Sequence, residues 1–307
     1  MLKILKKYNT TFEEVVEQWL KNKKIEIKNS TYSNYKYTIY KYIMPKLQNK
    51  SLSDLKKYNF NELVEELKEE LSAKTIKDII CILKAIFNYI EENFSCKLKT
   101  TKIVLPKVKT QNVKIFSEKE REKLENYCLK QKGLKELGIV MCLNTGLRIG
   151  EICALRWENV DLDKRVICVR KTMERIYNDE LKNTKVIIDE PKSQKSIREI
   201  PISNKLYEVL KQFKKEYKDT DFFLSGESEK YVEPRNYENI YKKILKKCNV
   251  KVHKFHTIRH TFATDCIRVG MDTKSLSEIL GHSNVNITLN RYVHSSYEVK
   301  KKFLEKL

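Results

Sequence analysis

The segment Thr-Gly-Leu-Arg-Ile-Gly-Glu, residues 145–151, contains an arginine placed to hold an oxyanion. Gly146 allows a tight turn, and Arg148 then stands at the start of a helix, where an arginine fork can bind a phosphate through two hydrogen bonds. Glu151 lies one helical turn further on and can hold that side chain in place. The alternative is an ordinary surface pair of Arg148 and Glu151 that follows a turn.

The segment His-Thr-Ile-Arg-His, residues 256–260, brings two histidines and an arginine together. His256 and His260 are four residues apart, so they share one face of a helix with Arg259 beside them. A zinc site of the His-Glu-x-x-His type would need a glutamate where Thr257 stands, and the arginine would oppose a bound cation. We therefore predict no metal site here and expect these side chains to donate hydrogen bonds to a phosphate.

The segment Leu-Gly-His, residues 280–282, is followed ten residues later by Tyr292. Gly281 ends a helix and presents His282 at the start of the next segment. Tyrosine is an unusual nucleophile because its ordinary pKa of about 10 leaves little phenolate at neutral pH. Tyr292 therefore needs neighbours that accept its proton or favour its anion. Four side chains are candidates for these neighbours: Arg148, Arg259, His256 and His282.

These segments resemble, in order and spacing, those of the tyrosine recombinases of the phage integrase and Xer type. Each segment alone is a weak signal, whereas the ordered set between residues 145 and 292 is specific. The resemblance implies that Tyr292 attacks a DNA phosphodiester, giving a 3′-phosphotyrosyl link and a free 5′-hydroxyl, without a metal or other cofactor. It implies phosphate binding by Arg148, His256, Arg259 and His282, with Glu151 and His260 in supporting roles.

The family also carries a lysine on a β-hairpin between the first two segments. Residues 191–202, Pro-Lys-Ser-Gln-Lys-Ser-Ile-Arg-Glu-Ile-Pro-Ile, resemble that hairpin, with Lys192 as the match and Lys195 as the second candidate. The departing 5′-oxygen of DNA is a poor leaving group as an alkoxide, and a nearby ammonium can protonate it.

The elements that must position these residues are predicted to be mostly helical. Ile76, Ile79, Ile80 and Leu83 recur at three- and four-residue steps, which is typical of a helix with one apolar face. Three short runs predict strands: Val166–Val169, Val186–Ile188 and Ser196–Ile200.

We predict a mostly α fold with a small antiparallel β-sheet. A helical core-binding domain (residues 1–97) is expected to precede a basic linker (98–114) and an α+β catalytic domain (115–307). The family resemblance is less specific in the first of these regions. The chain begins close to the core-binding region, so no further arm-site domain is expected before it.

The net charge of +21 favours a polyanionic partner, and double-stranded DNA is the expected one. The residues expected to contact DNA in the first domain are Tyr32, Tyr35, Lys36 and Lys41.

The sequence shows neither an apolar run long enough to cross a membrane nor a signal peptide, so no membrane association and a cytoplasmic location are expected. The eight cysteines lack a Cys-x-x-Cys pair and are interpreted as reduced thiols.

After Tyr292, the residues Val299, Phe303 and Leu307 recur at four-residue steps. They predict a helix that packs on its own domain or, as in the family, on a neighbouring subunit of a DNA-bound homotetramer. Tyr297 is a rival nucleophile that lies outside the matched segment.

The expected role is integration and excision of a mobile element, with an accessory directionality factor left open. Four alternatives also stay open: DNA inversion, Xer-type dimer resolution, a type IB topoisomerase and a non-catalytic DNA-binding regulator.

Overall fold

The computed structural model describes residues 10–98, 103–108, 113–178, 183–191, 194–292 and residue 305. The chain divides into two compact units. The first consists of Met1–Gln111 together with Ile176–Lys185, and the second of Asn112–Arg175 together with Val186–Leu307.

The first unit is a helical bundle. A π-helical turn, Ile39–Ile43, continues its second helix. Its helices are α1 (Phe12–Glu26), α2 (Asn29–Thr38), α3 (Met44–Leu47), α4 (Leu52–Lys57), α5 (Phe60–Glu70) and α6 (Ala73–Phe94).

Local sequence signals begin several of these helices. Thr11 and Glu14 form a capping box at the start of α1, and Ser51 and Asp54 form one at the start of α4. The apolar face predicted on α6 is buried, since Ile76, Ile79, Ile80 and Leu83 are each at most 1 % exposed. That face packs into one core with Phe12, Trp19 and Ile43, among others. The bundle is therefore held together chiefly by apolar burial.

The second unit contains the remaining helices and the strands. Its helices are α7 (Glu118–Gln131), α8 (Leu134–Thr145), α9 (Ile149–Ala154), α10 (Asn204–Lys214), α11 (Pro234–Lys247), α12 (His256–Arg268), α13 (Thr273–Leu280) and α14 (Val285–Tyr292). Its strands are β1 (Val160–Asp161), β2 (Val166–Val169), β3 (Thr172–Asn178), β4 (Asn183–Asp189) and β5 (Arg198–Pro201). Ser117 and Glu120 form the predicted capping box of α7.

The strands form two sheets, whereas the sequence predicted one. Strands β1, β2 and β5 form an antiparallel sheet in that order, with Ile167 opposite both Val160 and Ile200. The run Val186–Ile188 belongs instead to β4, which pairs only with β3 in the described residues. Strand β3 was not predicted, because Thr-Met-Glu-Arg-Ile-Tyr-Asn is polar and lacks the apolar run that marks the other strands.

The distal part of the β3–β4 pair, Ile176–Lys185, is grouped with the helical first unit. Within that unit, the Ser33 hydroxyl of α2 donates a hydrogen bond of 3.0 Å to the Tyr177 carbonyl. No pattern in the sequence indicated this grouping. The sequence predicted that all of residues 115–307 lie in one domain, and the predicted domain limits stay a prediction.

Among the described residues, no helix is long and apolar enough to cross a membrane. All eight cysteines are free thiols, and Cys96, Cys128, Cys142, Cys153 and Cys266 are buried.

Replacing Ile80 by alanine should lower the free energy of unfolding by about 2–5 kcal/mol, because Ile80 is fully buried in the core of the first unit and truncation leaves a cavity. Cys81 is the next residue on the same helix and is exposed, so Cys81→Ala is the matched control. The control should change stability by less than about 0.5 kcal/mol in urea unfolding. Equal effects of the two changes would contradict the assigned core.

Candidate active site

Arg148 lies at the N-terminus of α9 and is held at several atoms. Its backbone N–H donates to Glu151 Oε2 at 2.8 Å, and its Nη1 donates to Glu151 Oε1 at 2.7 Å. Its Nη2 donates to the Gly281 carbonyl at 3.0 Å, which joins the first predicted segment to the Leu-Gly-His segment. The side chain keeps 33 % of its surface exposed. Glu151 and the Gly281 carbonyl thus orient the guanidinium, and part of it still faces solvent.

Gly146 makes the turn before Arg148 with a φ of +67°. A Cβ at this position would lie 2.6 Å from Phe262 Cδ1 and 2.9 Å from Leu280 Cδ2. Both the left-handed backbone and the close packing therefore require glycine. The Gly146 carbonyl accepts a hydrogen bond of 2.9 Å from Arg259 Nη1, so the turn also positions a second arginine.

Arg259, on α12, is only 1 % exposed. Its Nη2 donates to the Leu280 carbonyl at 2.6 Å, in addition to the bond to Gly146. Burial, and next the charge of Arg148, lower the pKa of Arg259 to about 9, so the side chain is still cationic at neutral pH. One buried guanidinium therefore ties together all three predicted segments.

Arg198, on β5, was missed by the sequence analysis. Its Nη1 and Nη2 each donate to a different carboxylate oxygen of Glu151 at 3.0 Å. Its Nε donates to the Ile279 carbonyl at the end of α13. Arg198 lies two residues before buried Ile200, so both side chains lie on the same face of the strand. This two-residue spacing was the available signal.

Glu151 accepts hydrogen bonds from both Arg148 and Arg198, and only 2 % of its side chain is exposed. Burial alone would raise the pKa of this carboxyl. The hydrogen bonds and charge of Arg198, followed by the charge of Arg148, outweigh burial and lower the pKa to about 2. Glu151 is therefore ionised and neutralises part of the charge that the arginines concentrate.

Three histidines surround the arginines, and all three are neutral at physiological pH. Burial is the main cause of each lowered pKa, to about 4 for His256 and about 3 for His260 and His282. Nearby arginine charges, those of Arg259 and Arg291 among them, act in the same direction. Neutral imidazoles can each donate one hydrogen bond and accept another.

His282 follows the left-handed Gly281 that ends α13, as predicted. Its Nδ1 lies 2.8 Å from the Oγ1 of Thr288, which is fully buried. This contact fixes the orientation of the imidazole ring.

Tyr292 is the last residue of α14 and is 6 % exposed. Its hydroxyl lies 2.7 Å from His260 Nδ1. Burial raises the pKa of the phenol above its ordinary value, although the charges of Arg259 and Arg291 and a hydrogen bond to Arg291 oppose this rise. Arg291 was not predicted as a site residue from the sequence. The surrounding cations were expected to favour the phenolate, whereas burial outweighs them here.

The sequence-predicted residues differ in where the structure places them. Arg148 bonds to Glu151, and Arg148 and Arg259 both bond to carbonyls at the end of α13. The charges of these two arginines act on His282 and Tyr292. His260 contacts Tyr292 directly, which is a closer relation than the supporting role expected from the sequence. The ring of His256 lies edge-on to that of His260, with centroids 4.5 Å apart.

Lys192, the first candidate for the lysine, lies outside the described residues. Lys195 is described: it is exposed, and its Nζ donates to the Ser283 carbonyl at 3.1 Å. Ser283 follows His282, so this hydrogen bond brings Lys195 close to the Leu-Gly-His segment. The predicted tail residues Tyr297, Val299, Phe303 and Leu307 also lie outside the described residues.

In the part of the chain that the structure describes, no group of three or more His, Cys, Asp or Glu side chains is arranged to hold a metal ion.

The residues predicted to contact DNA all lie in the first unit. The Tyr35 ring stacks on Trp19 at 5.7 Å, and Tyr32 packs against the same core, so part of each tyrosine serves the bundle itself. Lys36 lies 5.9 Å from the centre of the Tyr40 ring. Lys41 is exposed, and its Nζ donates to the Tyr37 hydroxyl at 2.8 Å.

Comparison with protein families gives two matches. Residues 110–299 match the model described as the phage integrase family, and residues 11–78 match that of the phage integrase N-terminal SAM-like domain.

Among individual relatives, a protein named tyrosine recombinase XerC-like from Caldanaerobacter subterraneus is 34 % identical over 273 residues, covering 81 % of this chain and 68 % of that protein. The transposase from transposon Tn916 of Enterococcus faecalis is 27 % identical over 60 % of this chain, and the match spans 48 % of that transposase. The ICEBs1 integrase of Bacillus subtilis is 23 % identical over 98 % of this chain and 84 % of its own length.

Solved structures share the fold. A Tn1549 transposon integrase in complex with transposon right end DNA has a TM-score of 0.80 at 24 % identity, covering 97 % of this chain and 99 % of that one. The same integrase in complex with a circular intermediate DNA has a TM-score of 0.78 at 25 % identity, covering 96 % and 99 % of the two chains.

Replacing Glu151 by glutamine should destabilise the protein by about 3–5 kcal/mol at neutral pH, because two arginines lose a buried anionic partner. The pKa of Glu151 falls from its ordinary 4.5 to about 2 on folding, so its contribution is complete above pH 4.5 and is lost as the pH falls towards 2. The stability of the variant should therefore decline less steeply than wild type in that window.

Glu118→Gln is the matched control, because the Glu118 side chain is 82 % exposed and makes a surface pair with Arg268. Urea unfolding at several pH values checks both variants. A Glu151→Gln protein with the wild-type pH dependence would contradict the assigned pairing.

Proposed function

Because this chain belongs to the phage integrase family and is a tyrosine recombinase, we propose that it breaks and rejoins DNA at specific sites through a covalent bond to Tyr292. One observation carries the assignment of the site. Arg259 joins the Gly146 turn to the end of α13, beside Arg148 and with Tyr292 within reach of their charges. Two guanidinium groups and a buried phenol are the parts that phosphodiester transfer requires.

The proposed reaction is an in-line transesterification. The Tyr292 oxygen attacks the phosphorus, forming a 3′-phosphotyrosyl link and releasing a 5′-hydroxyl. Attack by the 5′-hydroxyl of a partner strand then reverses the step, so the bond is conserved without an external energy source. Arg148 and Arg259 stabilise the charge on the non-bridging oxygens, with His256 and His282 as neutral hydrogen-bond donors. Loss of one such donor should slow cleavage by roughly 10²–10³.

Glu151 acts in this proposal as a positioning residue. Its two carboxylate oxygens accept hydrogen bonds from the backbone N–H and the Nη1 of Arg148, and part of that guanidinium stays exposed for the phosphate. Arg198 donates to the same two carboxylate oxygens, so the orientation of Arg148 depends on both residues.

Double-stranded DNA is the proposed substrate, with the helical region, residues 1–97, as a clamp joined through the basic linker 98–114 to the catalytic region 115–307. The net charge of +21 supports this, because neutralising phosphates releases counterions and drives binding. Tyr32, Tyr35, Lys36 and Lys41 are the proposed contacts in the clamp. Because Tyr32 and Tyr35 also pack on the core, the lysines should supply most of the phosphate contact.

The proposed biological role is integration and excision of a mobile element by a homotetramer on paired DNA sites, with an accessory factor that sets direction. The Tn1549 integrase and the Tn916 transposase are named for transposons, and they match this chain in fold or in sequence. DNA inversion and chromosome-dimer resolution use the same chemistry and differ in the arrangement of the sites. Relaxation of a plasmid without recombinant products would instead indicate a topoisomerase.

Tyr292→Phe should abolish covalent attachment to a nicked duplex that carries the recognition site, because phenylalanine lacks the attacking oxygen. The adduct is measured on a denaturing gel. Tyr297→Phe is the control for the rival nucleophile and should form the adduct as wild type does. Loss of the adduct in Tyr297→Phe with retention in Tyr292→Phe would reverse the assignment, and absence of any wild-type adduct would contradict the proposed chemistry.

Lys192→Ala should slow cleavage of normal DNA but spare a substrate whose departing 5′-oxygen is replaced by sulfur, because a thiolate leaves without being protonated. Lys195→Ala is the matched comparison on the same segment. If only the Lys195 variant cleaves the 5′-sulfur substrate at the wild-type rate, the proton donor is Lys195. Equal losses on both substrates for both variants would exclude the general-acid role of either lysine.

A further inference from the structure

We propose that His260 is a catalytic residue that accepts the phenolic proton of Tyr292 as the phenol oxygen attacks the phosphodiester. The inference rests on the proposed function, and it assigns to His260 a role in the reaction itself, beyond orienting its neighbours.

The geometry of the pair is that of a direct proton transfer. His260 Nδ1 lies 2.7 Å from the Tyr292 hydroxyl, within hydrogen-bond range, and the two ring centroids are 5.7 Å apart. The phenol can donate to Nδ1 only in the tautomer that carries the imidazole proton on Nε2. His260 follows the buried Arg259 on α12, so the same helix turn that holds the phosphate-binding arginine also sets the acceptor.

The surroundings keep the His260 imidazole unprotonated before the reaction. Burial lowers its pKa most, and His256, Arg291 and Arg259 lower it further, to about 3. A neutral ring keeps its lone pair at neutral pH, which a proton acceptor needs. His256 packs edge-on against this ring and restricts its rotation.

The DNA itself would raise the basicity of His260 when it is needed. A bound phosphodiester brings negative charge among Arg148 and Arg259, and this offsets the cationic field that disfavours an imidazolium. The electrostatic cost of protonating His260 therefore falls once substrate is in place. In the free protein, burial raises the pKa of Tyr292 and keeps the phenol protonated, although the nearby arginine charges oppose this rise.

The phosphorus–oxygen bond to Tyr292 forms and the bond to the 5′-oxygen breaks. The phenol proton moves to His260 Nδ1, and the 5′-oxygen takes a proton from the lysine donor. In rejoining, the attacking 5′-hydroxyl returns its proton to the lysine, and the imidazolium returns its proton to the departing phenol oxygen. His260 thus serves as base in cleavage and as acid in ligation.

The test compares single-turnover cleavage of a nicked substrate by wild type, His260→Asn and His256→Asn. Asparagine places an amide near the position of Nδ1 and can hydrogen-bond the phenol, but it cannot take up the proton. His260→Asn should therefore lose about 10²–10⁴ in cleavage rate. DNA affinity and thermal unfolding, measured in parallel, should stay near wild type.

A second measurement separates proton transfer from structural damage. Difluorotyrosine, incorporated only at position 292, has a more acidic phenol and needs less help from a base. The loss caused by His260→Asn should shrink at least tenfold with this residue, whereas the loss caused by His256→Asn, on the same helix face, should not.

Two results would overturn the inference: a His260→Asn rate within about threefold of wild type, which would leave only an orienting role, or a loss that fluorination does not change. Neither result affects the proposed function, provided wild type still forms the Tyr292 adduct. Absence of the wild-type adduct would contradict the proposed function itself.

Discussion

The candidate site depends on the interaction of the buried Glu151 carboxylate with Arg148 and Arg198. Arg148, Arg198 and Arg259 come from a helix start, a strand and a second helix, and their like charges oppose this convergence. Glu151 bonds two of the three and stays ionised because of them. The third arginine is held by the carbonyls of Gly146 and Leu280. The site can therefore concentrate positive charge while the fold stays intact.

This concentration of charge acts together with burial on the protonation of the other groups in the site. Together with burial, it keeps His256, His260 and His282 neutral, so they can donate or accept hydrogen bonds. Burial raises the pKa of Tyr292, so the phenol remains protonated in the absence of DNA. A phosphodiester supplies the negative charge that this arrangement lacks. In the proposed reaction, this charge offsets the cationic field and lowers the electrostatic cost of protonating His260.

The sequence predicted those parts of the fold and site that follow from local patterns. The apolar stripe of α6, the cap of α7 and the glycines at positions 146 and 281 are local signals. The order of the segments predicts Tyr292, among 17 tyrosines, as the nucleophile. The partnership of Arg198 with Glu151 joins residues 47 positions apart, and sequence spacing does not encode it. The same holds for the contact of His260 with Tyr292 and for the division of the strands into two sheets.

The most direct test of the central claim is to identify the amino acid that becomes joined to DNA. The trapped complex would be digested with nuclease and protease, and the peptide carrying the residual nucleotide sequenced by mass spectrometry. The account predicts a phosphotyrosyl bond at Tyr292, with the phosphate on the 3′ side and a free 5′-hydroxyl on the released strand. Attachment through Tyr297 or any other residue, or a phosphate left on the 5′ end, would contradict it.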